Sequence, residues 1–140
     1  MLRDIEDESW AGYGGFCDIH KGRHGTKNLC LKIIKVDQSK KKELTKLYGK
    51  EVILWGQLQN PNVVPFYGIF YRDEQRTQLC LISPWMDNGN IVVYLEGKPE
   101  TPRKPLIHDV AKGMSYLHGK DVIHGDLKGL NILVDERGSA

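Results

Sequence analysis

The spacing of apolar residues changes period along this chain, and that change limits the folds open to it. Up to Val36 the pattern is one of short strands. The glycine-dense stretch Gly12-Tyr13-Gly14-Gly15-Phe16 precedes the turn Gly22-Arg23-His24-Gly25, which predicts two strands joined by a hairpin with glycines at its tip. Leu29 to Val36 is an apolar run with a single internal lysine, Lys32, and predicts a third strand. From about Lys40 to Gln59 the period becomes helical, with Leu44, Leu47, Tyr48, Glu51, Leu54, Trp55 and Leu58 on one stripe. Asn60-Pro61-Asn62 ends that helix, because proline disfavours helix in the residue before it. Val63 to Tyr71 and Gln78 to Ser83 predict two further strands, linked by the charged turn Arg72-Asp73-Glu74-Gln75-Arg76.

Pro84 breaks the strand pattern, and the remainder of the chain is mainly helical in period. Asn88-Gly89-Asn90 is a loop, and Ile91 to Leu95 a short helix or strand. Pro105 to His118 predicts a helix with Ile107, Val110, Ala111, Met114 and Leu117 on one face, an apolar face left to be covered. Pro105 sits near the first turn, where proline is tolerated, and Gly119 suits the C-terminal cap. The expected fold is α+β in two lobes: strands and one long helix over about 10–82, a hinge over 83–90, and a helical part over 91–140.

Bulk properties narrow the function. With 40% hydrophobic and 27% charged residues, the 140-residue chain has an ordinary globular composition. A net charge of +2 argues against a nucleic-acid or membrane partner, and Lys40-Lys41-Lys42 reads as a solvated helix start. Three cysteines, Cys17, Cys30 and Cys80, have neither an even count nor metal-ligand spacing. The polar start Met1-Leu2-Arg3-Asp4 has no signal-peptide pattern, and no apolar run approaches the roughly 20 residues a bilayer requires. The expected location is the cytosol or the nucleus.

A few residues stand out chemically. Glycines let backbone approach phosphate oxygens, so Gly12 and Gly14 are phosphate candidates, though a plain hairpin explains them as well. The strand that comes after them argues against a dinucleotide-binding strand–turn–helix. Lys32 is either an edge-strand lysine reaching water or a cation with a buried duty. Glu51 interrupts an apolar stripe, which costs several kcal/mol unless the carboxylate is paired, and Lys32 is the cation at hand. The alternative is a Glu51 at the stripe's margin. In His124-Gly125-Asp126-Leu127-Lys128-Gly129-Leu130-Asn131, an acid, a lysine and an amide precede the apolar run Ile132-Leu133-Val134.

That octapeptide resembles the protein-kinase catalytic loop H-R-D-L-x-x-x-N, with Gly125 in place of the arginine. Further matches precede it in kinase order. Gly12 and Gly14 resemble the glycine-rich loop with Cys17 at its third glycine, and Leu29-Cys30-Leu31-Lys32 resembles the V-A-I-K strand. Leu81-Ile82-Ser83-Pro84-Trp85-Met86 resembles the hinge. The resemblance covers about residues 10–140 and implies a five-stranded antiparallel lobe with one long helix, then the start of a helical lobe. No Asp-Phe-Gly follows Asn131, which implies a domain cut after its catalytic loop.

The resemblance also implies roles. Ala11, Gly12, Gly14, Ile19, Cys30, Lys32, Ser83, Met86, Asn90 and Leu133 would surround ATP, with Ser83 as gatekeeper, Met86 toward adenine and Asn90 toward ribose. Lys32 would pair with Glu51, Asp126 would take the hydroxyl proton, Lys128 would steady the phosphoryl group and Asn131 would hold Mg²⁺. Gly125 removes the arginine through which the family reads activation-loop phosphorylation. The expected activity is ATP-dependent phosphoryl transfer to serine or threonine, with tyrosine open, in a protein substrate. The chain as given would be feeble or inactive. The alternative is a kinase-like nucleotide-binding or scaffold module without catalysis.

Overall fold

The computed structural model describes residues 5–14, 17–35, 49–50, 52–72 and 78–140. The chain divides into two compact units, the first over residues 1–58 and 65–85, the second over residues 59–64 and 86–140.

The first unit is a five-stranded sheet, wholly antiparallel, in the order β1-β2-β3-β5-β4. The strands are β1 Glu6–Gly14, β2 Cys17–His24, β3 Lys27–Lys35, β4 Gly68–Tyr71 and β5 Gln78–Pro84. Both faces of β3 and β5 are apolar, so these strands take the centre, where neighbours satisfy the backbone on either side. Leu29, Leu31 and Ile82 form one core, with Ile5 and Phe70 packed against it. Ile34, Leu79 and Leu81 form the other, joined by Val52, Trp55 and Phe66. The Trp55 and Phe66 rings stack with centroids 4.9 Å apart.

Residues 49–50 and 52–55 are helical, and the rest of the predicted long helix lies outside the described residues, apart from a turn after residue 55. Within it, Val52 and Trp55 face the sheet, whereas Leu54 is largely exposed. Trp55 of the predicted stripe thus packs as expected, Val52 joins it, and Leu54 is the member that departs; Leu44, Leu47, Tyr48 and Glu51 lie outside the described residues. The fourth strand is shorter than predicted: it begins at Gly68, not Val63, because a turn at 61–62 and Pro65 occupy the approach.

In the second unit, α1 (Ile91–Gly97) resolves the open choice at Ile91 in favour of helix. Asn90 caps it, its Oδ1 accepting from the Val92 and Val93 amides at 3.1 and 3.2 Å. The next helix, α2 (Arg103–His118), starts two residues before the predicted Pro105, which sits in the first turn where its missing N–H costs nothing. Its predicted apolar face needs correction. Leu106, Gly113 and Leu117 are buried, while Ile107 and Ala111 are exposed. Gly113 is buried because the Asn62 backbone crosses there: a Cβ on Gly113 would stand 2.5 Å from the Asn62 oxygen.

The C-terminal cap also differs from expectation. Gly119 stays right-handed (φ −66°). The chain reverses at Asp121 (φ 57°), with Val122 N–H donating to the Leu117 carbonyl and Asp121 N–H to that of His118. This pair of bonds is a Schellman ending with aspartate in the left-handed position. Among the described residues no helix is long and apolar enough to cross a membrane.

Candidate active site

Two groups of residues carry the expected chemistry, one in each unit. The first lies on β1, β2, β3 and β5. Trp10 pairs with His20 and Gly12 with Ile19, so Ala11 is an extra residue in β1, a bulge. Gly12 has φ 148°, a conformation that side chains disfavour, and nothing lies within 4 Å of where a Cβ would stand. Gly14 pairs with Cys17 at the end of the ladder. Gly12 therefore stands near the end of the strand with open space at its Cα, a place where a ligand could approach the backbone.

Lys32 sits on β3 between Ile19 of β2 and Leu81 of β5. That excludes the edge-strand reading, since β3 is the middle strand of the sheet. Its side chain is half-buried. Glu51, the expected partner, lies outside the described residues. Cys30 stands opposite Ser83, which is itself buried. Burial pushes the Cys30 thiol up from its ordinary value, and a hydrogen bond with the Ser83 hydroxyl opposes that rise. Cys30 is thus a partly buried thiol beside Lys32 on the same face of β3.

The second group lies in the second unit. Residues 132–134 run antiparallel to 89–91: Ile91 N–H donates to the Ile132 carbonyl at 2.8 Å, and Val134 N–H to the Gly89 carbonyl at 2.9 Å. Asn90 and Leu133 bridge at the centre. The Asn90 side-chain oxygen is committed to its helix cap, which leaves only its amide nitrogen for a ligand. Val134 is fully buried, so this ladder is a firm floor under the preceding loop. Gly129 lets the loop lie against α1, since a Cβ there would stand 2.7 Å from Val92 Cγ2.

On that floor, residues Gly129–Asn131 make one 3-10 turn, which swings the Asn131 side chain back onto Asp126. Asn131 Nδ2 donates to the Asp126 carbonyl at 2.8 Å and to its Oδ2 at 2.9 Å. Lys128 Nζ is 2.9 Å from the same Oδ2. The Asp126 amide donates to His124 Nδ1 at 3.3 Å, across Gly125 with its φ of 76°. Lys128 first, then Asn131, holds the Asp126 carboxyl below the usual carboxylate range. The side chains of Asp126 and Lys128 are more than half exposed, so their ion pair adds little to stability. It keeps an ionised acceptor beside a cation, in reach of a solvent-borne hydroxyl. The Asn131 Oδ1 accepts no hydrogen bond among the described residues, and the residue is exposed. No group of three His, Cys, Asp or Glu suited to a metal occurs among the described residues.

Sequence reasoning misses two contacts here. His124 reads only as the first residue of a motif, though its ring accepts from the Asp126 amide. Lys21, on β2, lies with its ammonium 5.4 Å from the Trp85 ring centroid, and 64 positions of chain hide that pair from any local pattern.

Comparison with known proteins agrees with the geometry. The protein kinase domain model matches residues 5–140. The chain is 32% identical to the dual specificity protein kinase zakA of Dictyostelium discoideum, over 93% of this chain and 18% of that protein. It is 31% identical to the serine/threonine-protein kinase STY46 of Arabidopsis thaliana, over 88% of this chain and 21% of that protein. It is 33% identical to the dual specificity protein kinase splA of Dictyostelium discoideum, over 96% of this chain and 6% of that protein. The chain thus spans about a fifth of the first two relatives, and less of the third. Matched by that model over almost its whole length, the chain belongs to the protein kinase family.

Proposed function

We propose that the chain binds ATP and carries the acid, lysine and amide for phosphoryl transfer to serine or threonine hydroxyls of a protein substrate, with tyrosine open. The observation that carries this reading is the Asp126 carboxylate, held at 2.9 Å by both Lys128 and Asn131. A proton acceptor must be ionised, and Lys128 and Asn131 keep Asp126 in that form. Lys128 offsets the negative charge that gathers on the transferring group. The first unit supplies the nucleotide side: the Gly12–Gly14 backbone and Lys32 for phosphates, and Ala11, Ile19 and Cys30 for the base. Met86, Leu133 and the Asn90 amide nitrogen are assigned to the same nucleotide. Glu51 is assigned as the partner of Lys32.

The donors fit Mg²⁺ in part. The Asn131 amide oxygen, which accepts no hydrogen bond among the described residues, suits a hard cation, which would neutralise phosphate charge when bound. One amide oxygen is far from the roughly six that Mg²⁺ takes, so the nucleotide's phosphates and water would have to supply the rest. Within these 140 residues no Asp-Phe-Gly follows Asn131. The chain by itself is therefore a nucleotide binder with feeble transfer. Loss of one charge-stabilising group costs about 10² to 10³ in rate, by analogy with oxyanion donors.

Calorimetry with ATP, with and without Mg²⁺, tests the binding. Lys32→Ala is expected to weaken ATP at least about tenfold, the worth of a charged contact. Unchanged affinity would show that Lys32 does not hold the phosphates. Radiolabelled ATP with a generic protein substrate tests transfer beside Asp126→Asn. Weak incorporation is expected, and robust incorporation abolished by that substitution would mean that Asp135, Glu136 or another acid completes the metal site.

A further inference from the structure

Trp85 ends the first unit, and Met86 begins the longer stretch of the second. Pro84 has no N–H to offer. The Trp85 N–H is already donated to the Asn28 carbonyl at 3.1 Å. The first backbone donor available after β5 is therefore the Met86 amide, which donates to no group among the described residues. The Met86 carbonyl accepts from Gly89 at 2.9 Å. Where the Met86 amide points depends on how its predecessor is held.

Among the described residues two restraints hold Trp85, and both lie within the first unit. The bond to Asn28 extends the β3–β5 ladder one step past the pair Leu29 and Pro84. The second restraint crosses the sheet. Lys21 pairs with Cys30, and Cys30 with Ser83, so these three residues form one row over β2, β3 and β5. Trp85 lies two residues beyond Ser83, and alternation returns it to the face that row presents. The Lys21 ammonium sits 5.4 Å from its ring centroid, within range of a cation on an indole face.

We propose that Lys21 and Trp85 form a clasp that aims the Met86 amide at the edge of an adenine base, making Lys21 a positioning residue for nucleotide binding. The clasp rests on the proposed contact of Met86 with the nucleotide. Lys21 does not touch the nucleotide; it restrains the residue before the one that does. The clasp should therefore affect the base and leave the phosphates alone.

Calorimetry on the purified chain with adenosine, ATP and inorganic tripolyphosphate separates these contributions. Lys21→Met keeps the apolar stem and removes the charge. Trp85→Leu keeps apolar bulk and removes the indole face. Each is expected to weaken adenosine and ATP alike, by about 2- to 5-fold, the worth of a partly exposed cation–π contact. Tripolyphosphate binding should not change, the double variant should be no weaker than either single one, and Lys21→Arg should bind like the parent. Additive losses, losses shared by tripolyphosphate, or unchanged adenosine affinity at the parent's melting temperature would overturn the clasp. If Trp85→Leu melts early, the contrast between Lys21→Met and Lys21→Arg decides the matter. A parent chain that binds none of the three probes removes the nucleotide reading, and the clasp falls with it.

Discussion

The two units differ in how much apolar core they bury. In the sheet unit the central strands are closed on both faces: Leu31 is 1% exposed and Ile82 0%. In the helical unit large apolar side chains stand outside: Ile107 is 65% exposed and Ile123 86%. Among the described residues, most of the buried apolar side chains lie in the first unit, although Ile53 and Trp10 there are exposed, whereas the second buries Leu106, Leu117 and Val134. Rigidity where nucleotide chemistry is expected thus comes from the sheet. The loop around Asp126 relies on a short ladder and on its own hydrogen bonds.

Core truncation should expose this contrast most visibly. Leu31→Ala is expected to destabilise the first unit by about 2–5 kcal/mol, the usual cost of emptying a packed site. Ile107→Ala, at an exposed position, should change stability by less than about 0.5 kcal/mol. Denaturant titration followed by tryptophan fluorescence measures both. Equal effects would mean that the second unit holds its helix face as firmly as the first holds its sheet.

Next in size is Gly113→Ala. The added Cβ would press on the Asn62 oxygen, which is backbone and yields poorly. A loss of about 1–3 kcal/mol is expected, the range for overpacking. Hydrogen exchange should place that loss in α2 and residues 59–64, with β3 protection unchanged. Loss of protection in β3 as well would show that the two units unfold together.

Both effects bear on what a sequence can disclose. The central strands are legible because Leu29, Leu31 and Ile33 alternate with Cys30, Lys32 and Ile34, and nothing in the strands contradicts that period. The α2 face is misread because Leu106 and Ile107 are adjacent and both apolar, so the 3.6-residue period accepts either. Gly113 settles the choice, yet a glycine has no hydrophobic signal; only its contact with Asn62 shows that it is buried. The loop over residues 124–131 is legible as a motif because its residues are local. The Lys21–Trp85 contact joins distant strands through a register that no short pattern records. The start of β4 is misplaced because the apolar residues of 63–67 mask the breaking effect of the turn at 61–62 and of Pro65.

The smallest effect concerns pH. Lys128 and Asn131 favour the ionised Asp126, so its folded value lies below the ordinary 3.8. By linkage, a depressed carboxyl stabilises the fold above its unfolded value, and that contribution fades as pH falls through the folded one. Carbon-detected NMR should find the Asp126 midpoint below 3.8, rising in Lys128→Met and, by a smaller amount, in Asn131→Ala. A midpoint indifferent to both substitutions would mean that the loop is not assembled in solution.

The aspartate that ends α2 has a consequence of another kind. Asp121 adopts a backbone state that glycine enters freely and other residues enter at a cost of about 1–2 kcal/mol, less for aspartate and asparagine. It stands three residues before His124, where the chain turns out of the helix toward the loop. Selection removes only what falls below a working threshold, so proteins commonly retain such unused margin. Position 121 is thus spare capacity. A lineage or a designer needing to absorb a harmful change elsewhere in the second unit could place glycine there and touch no residue of the chemistry.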